Sequence, residues 1–438
     1  MDLPLFIASF MAIILLVHPF SNSGNAMTRL KKNIGRLLGI RAPWEVSEVT
    51  FVYEAQQVQI HVTCKDGHAL TCPACGSVCP GYDHRRRQWR HLDMCEYRTM
   101  VVADLPRVEC PEHGVCTVSV PWADPKARFT IGFEALVIDW LQEASVSAVS
   151  RLMRVSWNAI DGIMQRAVKR GLVRREEQSV AHIGVDETSF RKRHDYVTIV
   201  SDTKSGTVLQ VGQDRKKETL TGWYVGLTSE QLEGIQSVSM DMWPAYINAT
   251  LEHVPEAEQK VAFDRFHVAK CLGSAVDKVR RQEHRALMKE GQQDLKGTKY
   301  DWLTNPANMS RKQKARFQQL RTSSLKTARA WAIKDMAMNL WHYVHRTWAR
   351  KGWKRWLSWA MRCRLEPVKA AAKTIKNHLW GILNAIILKV SNGPAEGINS
   401  RIKTIKVRSR GFRNKRRFAN AIYFHLGGLD LYPEAIRR

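Results

Sequence analysis

The chain has 438 residues, 44% of them hydrophobic, with 68 Lys and Arg against 41 Asp and Glu and a formal net charge of +27. That length and apolar content support two to four packed domains and exclude a disordered tail binder. The charge favours DNA or RNA over small acidic substrates, because counterion release rewards many spread phosphate contacts; a membrane-surface protein would not need so long a mixed α/β region.

Residues 3–20, LPLFIASFMAIILLVHPF, are apolar and run into SNSGNA, a signal-like segment or a marginal membrane span when taken alone. Its leading segment carries Asp2 and no Lys or Arg, so the usual positive flank is missing. Met27 opens TRLKKNIGRLLGI, an ordinary start, and residues 1–26 are read as an apolar extension produced by start-site choice.

Residues 27–125 begin with a short basic helix, continue into the alternating, strand-like VTFVYEAQQVQIHVTC, and then hold Cys64, Cys72, Cys75, Cys79, Cys95, Cys110 and Cys116. An odd total of nine cysteines makes a poor disulfide framework, and the clustering points to metal binding in a reducing compartment. CPAC (72–75) and CPEH (110–113) each present two ligands from one tight turn, so Cys72, Cys75, Cys110 and His113 are the candidate ligands of a structural Zn²⁺. Cys116 is the alternative to His113, Cys64 and Cys79 are outer spares, and Cys95, Cys271 and Cys363 read as small buried hydrophobes. Between the two pairs, HRRRQWRH (84–91) offers Arg85, Arg86, Arg87 and Arg90 for phosphate contacts.

Residues 126–178 turn helical, and ASVSAVSRLMRVSWNAIDGIMQRAV has the form helix, short turn, helix. Ser156 is the N-cap of a second helix over 156–169 that turns Trp157, Asn158, Asp161 and Gln165 outward. In a helix-turn-helix this helix enters the major groove, where Asn or Gln pairs with adenine. A plain helical hairpin is the alternative.

From 179 to 428 strands alternate with helices, the pattern of an α/β sheet domain. HIGVDETSF and DYVTIVSDTKSGTVLQVG read as a strand and then a hairpin turning at residues 204–206. Residues 310–390 are almost continuous helix, rich in Trp, and read as part of a helical insertion at about 275–388. Asp186 ends the apolar run HIGV, Asp241 ends VSM, and Glu396 lies beyond the insertion in SNGPAEGINS. Three carboxylates converging from strand ends and a helix start suit two Mg²⁺ ions in phosphodiester chemistry. Taken singly, Asp186 could cap a loop, Asp241 a helix, and Glu396 could sit in an ordinary first turn; Glu187 is a competitor or assistant to Asp186. FDRFHVAK (263–270) adds Asp264 and His267, the latter facing the scissile phosphate or packing under the sheet. RIKTIKVRSRGFRNKRR (401–417) holds nine Lys or Arg and no acid. Within it Arg401, Lys403, Lys406, Arg408, Arg410 and Arg413 read as a DNA-backbone track, or as a merely solvated face.

CPACG, VECPEHG, the helix-turn-helix after PWADP, GVDETSFRKRHDYVTIVSD, SMDMWPAY, FDRFHVAK and SNGPAEGINSRIKTIKVRSRGFRN together resemble, in order, bacterial insertion-sequence transposases of the ISL-three type, within the DDE superfamily. The resemblance covers about residues 27–428. It implies a ribonuclease-H-like catalytic domain interrupted by an all-helical insertion and preceded by a zinc-binding domain and a helix-turn-helix. It also implies Asp186, Asp241 and Glu396 as the catalytic acids holding Mg²⁺ or Mn²⁺, and Cys72, Cys75, Cys110 and His113 at the zinc finger. Asp264 and His267 match an Asp-Phe-His signature. The partners implied are double-stranded DNA, as terminal inverted repeats and target, and further copies of the chain in a homodimer or larger assembly in the bacterial cytoplasm, at the nucleoid, with no membrane partner. The rivals are a catalytically silent or domesticated DNA-binding protein and a ribonuclease-H-like nuclease.

Overall fold

The computed structural model describes residues 23–175, 179–191, 195–323, 325–390 and 393–436. The apolar extension up to residue 22 lies outside them. Among the described residues no helix is long and apolar enough to cross a membrane. The chain divides into two compact units, residues 1–173 with 430–438 and residues 174–429.

In the first unit the basic helix α1 (Ser23–Leu37) precedes a five-stranded sheet of β1 (Trp44–Val52), β2 (Gln57–Cys64), β3 (Gly81–Arg90), β4 (Arg98–Cys110) and β5 (Gly114–Thr117). The order is β1-β2-β4-β3, with β5 also paired to β4. The alternating, strand-like run VTFVYEAQQVQIHVTC spans parts of two strands. A 3-10 turn at Tyr53–Ala55, with Gln56 at φ 46°, reverses the chain into an antiparallel hairpin. The segment EAQQ offers no apolar side chain larger than that of Ala55 and takes the turn. Val58, Ile60 and Val62 of β2 and Val101, Ala103 and Leu105 of β4 are buried, since the period of two sends each set to one face. Trp44 and Trp89 both pack edge-to-face on Trp122, with centroids 5.1 and 5.6 Å away.

Three helices follow: α2 (Ile131–Glu143), α3 (Val146–Leu152) and α4 (Trp157–Arg174). Thr130, Ser145 and Ser156 precede them, and their hydroxyls accept from the amides of Phe133, Ala148 and Ala159. Each cap satisfies an amide that the helix start would otherwise leave unpaired. Buried Glu134 of α2 pairs with Arg166 of α4. Arg170 reaches Asp124 at 2.9 Å and the Leu431 carbonyl at 3.0 Å, fastening the C-terminal residues to this unit.

The second unit is built on β6 (His182–Arg191), β7 (Asp195–Asp202), β8 (Thr207–Gly212), β9 (Ser237–Met240) and β10 (Val261–Phe263), in the order β10-β9-β6-β7-β8. β6, β7 and β8 form an antiparallel meander that turns at Gly206, φ 70°, whereas β9 runs parallel to β6 and β10 parallel to β9. Every residue of β9 and β10 is buried, as parallel strands covered on both faces require. Helices α5 (Lys217–Val225), α6 (Ser229–Glu233), α7 (Pro244–His253) and α8 (Ala257–Lys260) make the connections.

From Arg265 to Leu388 every described element is helical: α9 (Arg265–Lys289), α10 (Lys299–Leu303), α11 (Arg311–Arg321), α12 (Lys326–Asn339), α13 (Arg346–Arg362), α14 (Glu366–Asn377) and α15 (Leu379–Leu388), with two short 3-10 turns between. Trp302, Trp353 and Trp356 fill its core, and the Trp356 indole donates to the Ile333 carbonyl at 2.7 Å. α15 returns to the sheet through two devices. A Cβ on Gly381 would lie 2.5 Å from the Phe263 ring, so only glycine admits β10 this closely. Fully buried Asn384 donates to the carbonyls of Glu258 and Val261 at 2.8 and 2.7 Å. The chain can then lay α16 (Gly393–Arg408) against β6 and α17 (Lys415–Leu426) against β8.

Candidate functional site

Three parallel strands run in step, with Val185 opposite Met240 and Met240 opposite Phe263. The next residue on each is acidic: Asp186, Asp241 and Asp264. Asp241 follows the last residue of β9 as the sequence predicts, but Asp186 does not end its strand. β6 continues through Thr188 and Phe190, both buried, so Asp186 sits in mid-strand opposite Ile199 of β7.

Asp264 is buried and its carboxylate accepts the Phe266 amide at 3.1 Å, capping α9. The cap starts the helix there and puts His267 on its first turn. His267 Nε2 stands 2.5 Å from Asp241 Oδ1, so the ring faces the acids and is not packed under the sheet. Burial opposes its charged form, but the bond to Asp241 and that residue's charge outweigh burial and raise its pKa.

Asp186 faces α16. Its neighbour on the same face, Gly184, carries no side chain. A Cβ there would crowd Thr203 Cγ2 at 2.9 Å and Ser201 Oγ at 3.1 Å, while Ala395 Cβ at the start of α16 would stand at an ordinary 3.5 Å. Asn399 Nδ2 then donates to Asp186 Oδ2 at 2.6 Å, and the Glu187 amide donates to Oδ1 at 2.7 Å. Asn399 Oδ1 is buried without a hydrogen-bond partner among the described residues. Glu396 lies three residues earlier, exposed, on the same helix face. Glu187 points elsewhere, with its carboxylate 3.0 Å from Arg215 Nε. Sequence reasoning missed Asn399; its signal was one amide at i+3 from an acid, beside the buried stripe Ala395, Ile398 and Ile402.

Burial pushes the Asp186 carboxyl up to about 6, and the Asp241 charge adds to the rise against the opposing Glu187 amide. Burial raises Glu187 too. A carboxyl pushed toward neutrality by burial and by a neighbouring acid, as Asp186 is, is what a bound divalent cation relieves, and hard oxygens suit Mg²⁺.

In the first unit, Cys72, Cys75, Cys110 and His113 bring their ligand atoms within 4.8 Å of one another, the one such group of three or more among the described residues. Cys75 and Cys110 sulfurs are 3.7 Å apart, and His113 Nδ1 lies 3.6 Å from Cys110 Sγ and 3.9 Å from Cys72 Sγ. A tetrahedron with Zn–S of about 2.3 Å has edges of roughly 3.8 Å, so the set fits structural zinc. Backbone amides of Cys75 and Ala74 lower the Cys72 thiol to about 7, favouring the thiolate that zinc needs. Cys116 Sγ is instead 3.5 Å from the His113 carbonyl oxygen, and buried Cys79 reaches the Ser77 carbonyl. Cys95 is exposed and Cys271 half-buried, so of the three cysteines read as buried hydrophobes only Cys363 is fully enclosed.

The basic residues separate into exposed ones and ones held within the fold. Arg85 and Arg86 are exposed on edge strand β3. Arg87 lies 5.0 Å over the Trp89 ring and donates to the Ala127 carbonyl at 2.9 Å. Arg90 is buried, pairs with Asp93 and donates to the His91 carbonyl at 2.6 Å, so it holds the fold and is no free phosphate contact. On α4, Asn158 is exposed and Trp157 half-buried, while Gln165 donates to Asp161 at 2.7 Å. Asp161 is buried, contrary to the outward reading. Arg401, Lys403, Arg408, Arg410 and Arg413 are exposed, but Lys406 donates to the Ser189 carbonyl at 3.0 Å.

A family model described as "Transposase" matches residues 183–422. A "Helix-turn-helix domain of transposase family ISL3" matches 118–168, and a "zinc-finger of transposase IS204/IS1001/IS1096/IS1165" matches 68–116. The chain is 30% identical over 410 residues to the transposase for insertion sequence element IS1557 of Mycobacterium tuberculosis, covering 86% of this chain and 91% of that protein. It is 28% identical over 355 residues to the transposase for insertion sequence element IS1001 of Bordetella parapertussis, covering 80% and 87%. The second unit's sheet, the helix-turn-helix and the cysteine–histidine group each overlap one of these matches, and the chain belongs to the ISL3 family of transposases, which are DNA transposases.

Proposed function

We propose that residues 179–428 form a ribonuclease-H-like catalytic domain in which Asp186, Asp241 and Glu396 hold Mg²⁺ or Mn²⁺. On this reading the helical stretch at about 275–388 is an insertion between the second and third acids. The sheet supports it, with three antiparallel strands followed by two parallel ones on the first. The observation that carries the site is the join between β6 and α16: Asn399 ties Asp186 to the helix that bears Glu396.

Bound metal ions would activate the attacking oxygen and stabilise the leaving one. The chain's own residues do the rest. Asp241 orients His267, whose ring faces the acids and can hydrogen-bond a phosphate oxygen. In the first step water attacks phosphorus at the element's end and the P–O3′ bond breaks, freeing a 3′-hydroxyl. In the second, that hydroxyl attacks a target phosphodiester, forming one P–O bond and displacing one target 3′-oxygen. No Ser or Tyr nucleophile is needed.

Terminal inverted repeats would bind the first unit, with Asn158 at base edges and Arg85 and Arg86 on phosphates. Arg401, Lys403, Arg408, Arg410 and Arg413 would track the backbone beside the acids. Two ends cut together imply a dimer or larger assembly, acting at the nucleoid. Glu396→Ala is expected to abolish Mg²⁺-dependent cleavage of labelled terminal-repeat DNA and leave binding of the same DNA intact. Undiminished cleavage by this variant would sink the assignment.

A further inference from the structure

Beside Asp241 the second unit opens a cleft of about 350 Å³ whose lining includes Arg215, Trp243, His267, Lys270 and Ser274. None of Arg215, Trp243, Lys270 or Ser274 has a part in holding metal. Trp243, two residues after Asp241, keeps 38% of its surface exposed, unusual for the largest apolar side chain. The Arg215 guanidinium lies 3.9 Å over its ring and 5.3 Å over that of Tyr196, and Trp243 Nε1 donates to the Arg215 carbonyl at 3.3 Å. Glu187 holds the same guanidinium from the side. The indole is therefore fixed by its neighbours while part of it stays open.

The charges in the cleft are unevenly spent. Arg215 is paired with Glu187 and His267 with Asp241. Lys270 makes no salt bridge among the described residues and is exposed. His267, Lys270 and Ser274 follow one another at intervals of three and four on α9, so beyond the paired His267 one helix stripe presents an ammonium and a hydroxyl. An apolar ring and a row of phosphate-binding donors side by side match one nucleotide, base and phosphate together. Single-stranded nucleic acid is held in this way, by stacking on aromatic and guanidinium planes with cations along the backbone.

We infer that this cleft seats one unstacked nucleotide of the DNA strand adjoining the phosphate attacked at the carboxylates, its base against Trp243 and its phosphate on Lys270 and Ser274. The inference rests on the proposed active site and adds a subsite for the strand leaving it. It makes the enzyme sensitive to how readily the flanking base leaves its stack, since unstacking a base costs energy that the Trp243 contact must return.

The test uses the full chain and duplexes carrying the terminal repeat read from the DNA flanking the coding sequence. Binding is measured with Ca²⁺ in place of Mg²⁺, and single-turnover cleavage with Mg²⁺. Each nucleotide flanking the scissile phosphate is replaced in turn by an abasic one, in wild type and in Trp243→Ala. At one position the abasic nucleotide and the variant should each cost roughly 10- to 100-fold, and together no more than either alone. A methylphosphonate at the adjoining phosphate should behave in the same way with Lys270→Ala. If the penalties multiply at every position, Trp243 is only a structural residue and the inference is overturned. Asp241→Ala separates the two levels. Cleavage surviving in that variant overturns the active site itself, whereas loss of cleavage there with multiplying penalties for Trp243 overturns the nucleotide subsite alone.

Discussion

The cysteine–histidine group of the first unit and the carboxylates of the second gather polar ligands in opposite ways. The first closes four ligand atoms to within 4.8 Å of one another, with Cys72 and Cys110 buried. The second spreads its acids over two strands and a helix, beside an open cleft, with Glu396 exposed. Closed sites satisfy a metal completely and stabilise a fold, while catalytic sites keep positions for substrate. The contrast extends to construction. Two tight turns joined by one β-hairpin suffice for the zinc group, but the acids need the sheet register and the return of the chain after the helical stretch.

The comparison breaks most completely at its zinc end. Cys72→Ser should lose bound zinc, whose binding in small zinc domains is worth about 10–16 kcal/mol, and with it folding of the β3–β5 region and binding of terminal repeats. Metal content after gel filtration checks it, and an unchanged one-zinc stoichiometry would refute the ligand assignment. At the open site the supporting residues should matter less but measurably. Asn399→Ala removes the donor on Asp186 and is expected to cost roughly 10- to 100-fold in cleavage and to raise the Mg²⁺ requirement, with end binding unchanged. A Mg²⁺ titration at saturating DNA reads this directly.

Gly184→Ala is smaller. The added methyl crowds Thr203 and Ser201 and should destabilise the second unit by about 1–3 kcal/mol, seen as a lower urea midpoint. The smallest effect belongs to the exposed arginines. Replacing both Arg85 and Arg86 by Ala should lower the slope of log affinity against log salt by about two without unfolding anything. Arg90→Ala should instead lower stability, because it leaves Asp93 without its buried partner.

The same contrast governs what could be read from the sequence. The CPAC and CPEH turns bring four side chains together locally, so spacing alone pointed to the group. The grouping of His113, not Cys116, with the other three depends on the path of β5, which sets Cys116 Sγ 3.5 Å from the His113 carbonyl oxygen. Asp241 was legible as an acid after an apolar run. Asp186 was legible as an acid, but its mid-strand place was not, because buried Thr188 and Phe190 extend the strand past a polar pair. Asp264 stood out only as part of FDRFHVAK, with no role of its own, and it is a helix cap, a role any Asp before a helix can take. Arg90 looked like one more member of a basic run, yet next to buried Trp89 it turns into the core. Asn399, Arg215 and Trp243 escaped because each acquires its meaning from a residue distant in sequence or from the shape of a cleft.

Asp186 and Glu187 are adjacent, both half-buried and both raised by burial, but they serve different faces of β6. Asp186 meets the helix of Glu396 through Asn399, and Glu187 holds Arg215. The most direct test is single-turnover cleavage of a labelled terminal-repeat duplex by Asp186→Ala and Glu187→Ala side by side in Mg²⁺. Asp186→Ala should lose cleavage by on the order of 10³-fold or more, while Glu187→Ala still cuts at a measurable rate. Cleavage retained by Asp186→Ala and lost in Glu187→Ala would contradict the assignment of the acids to the β6–α16 face.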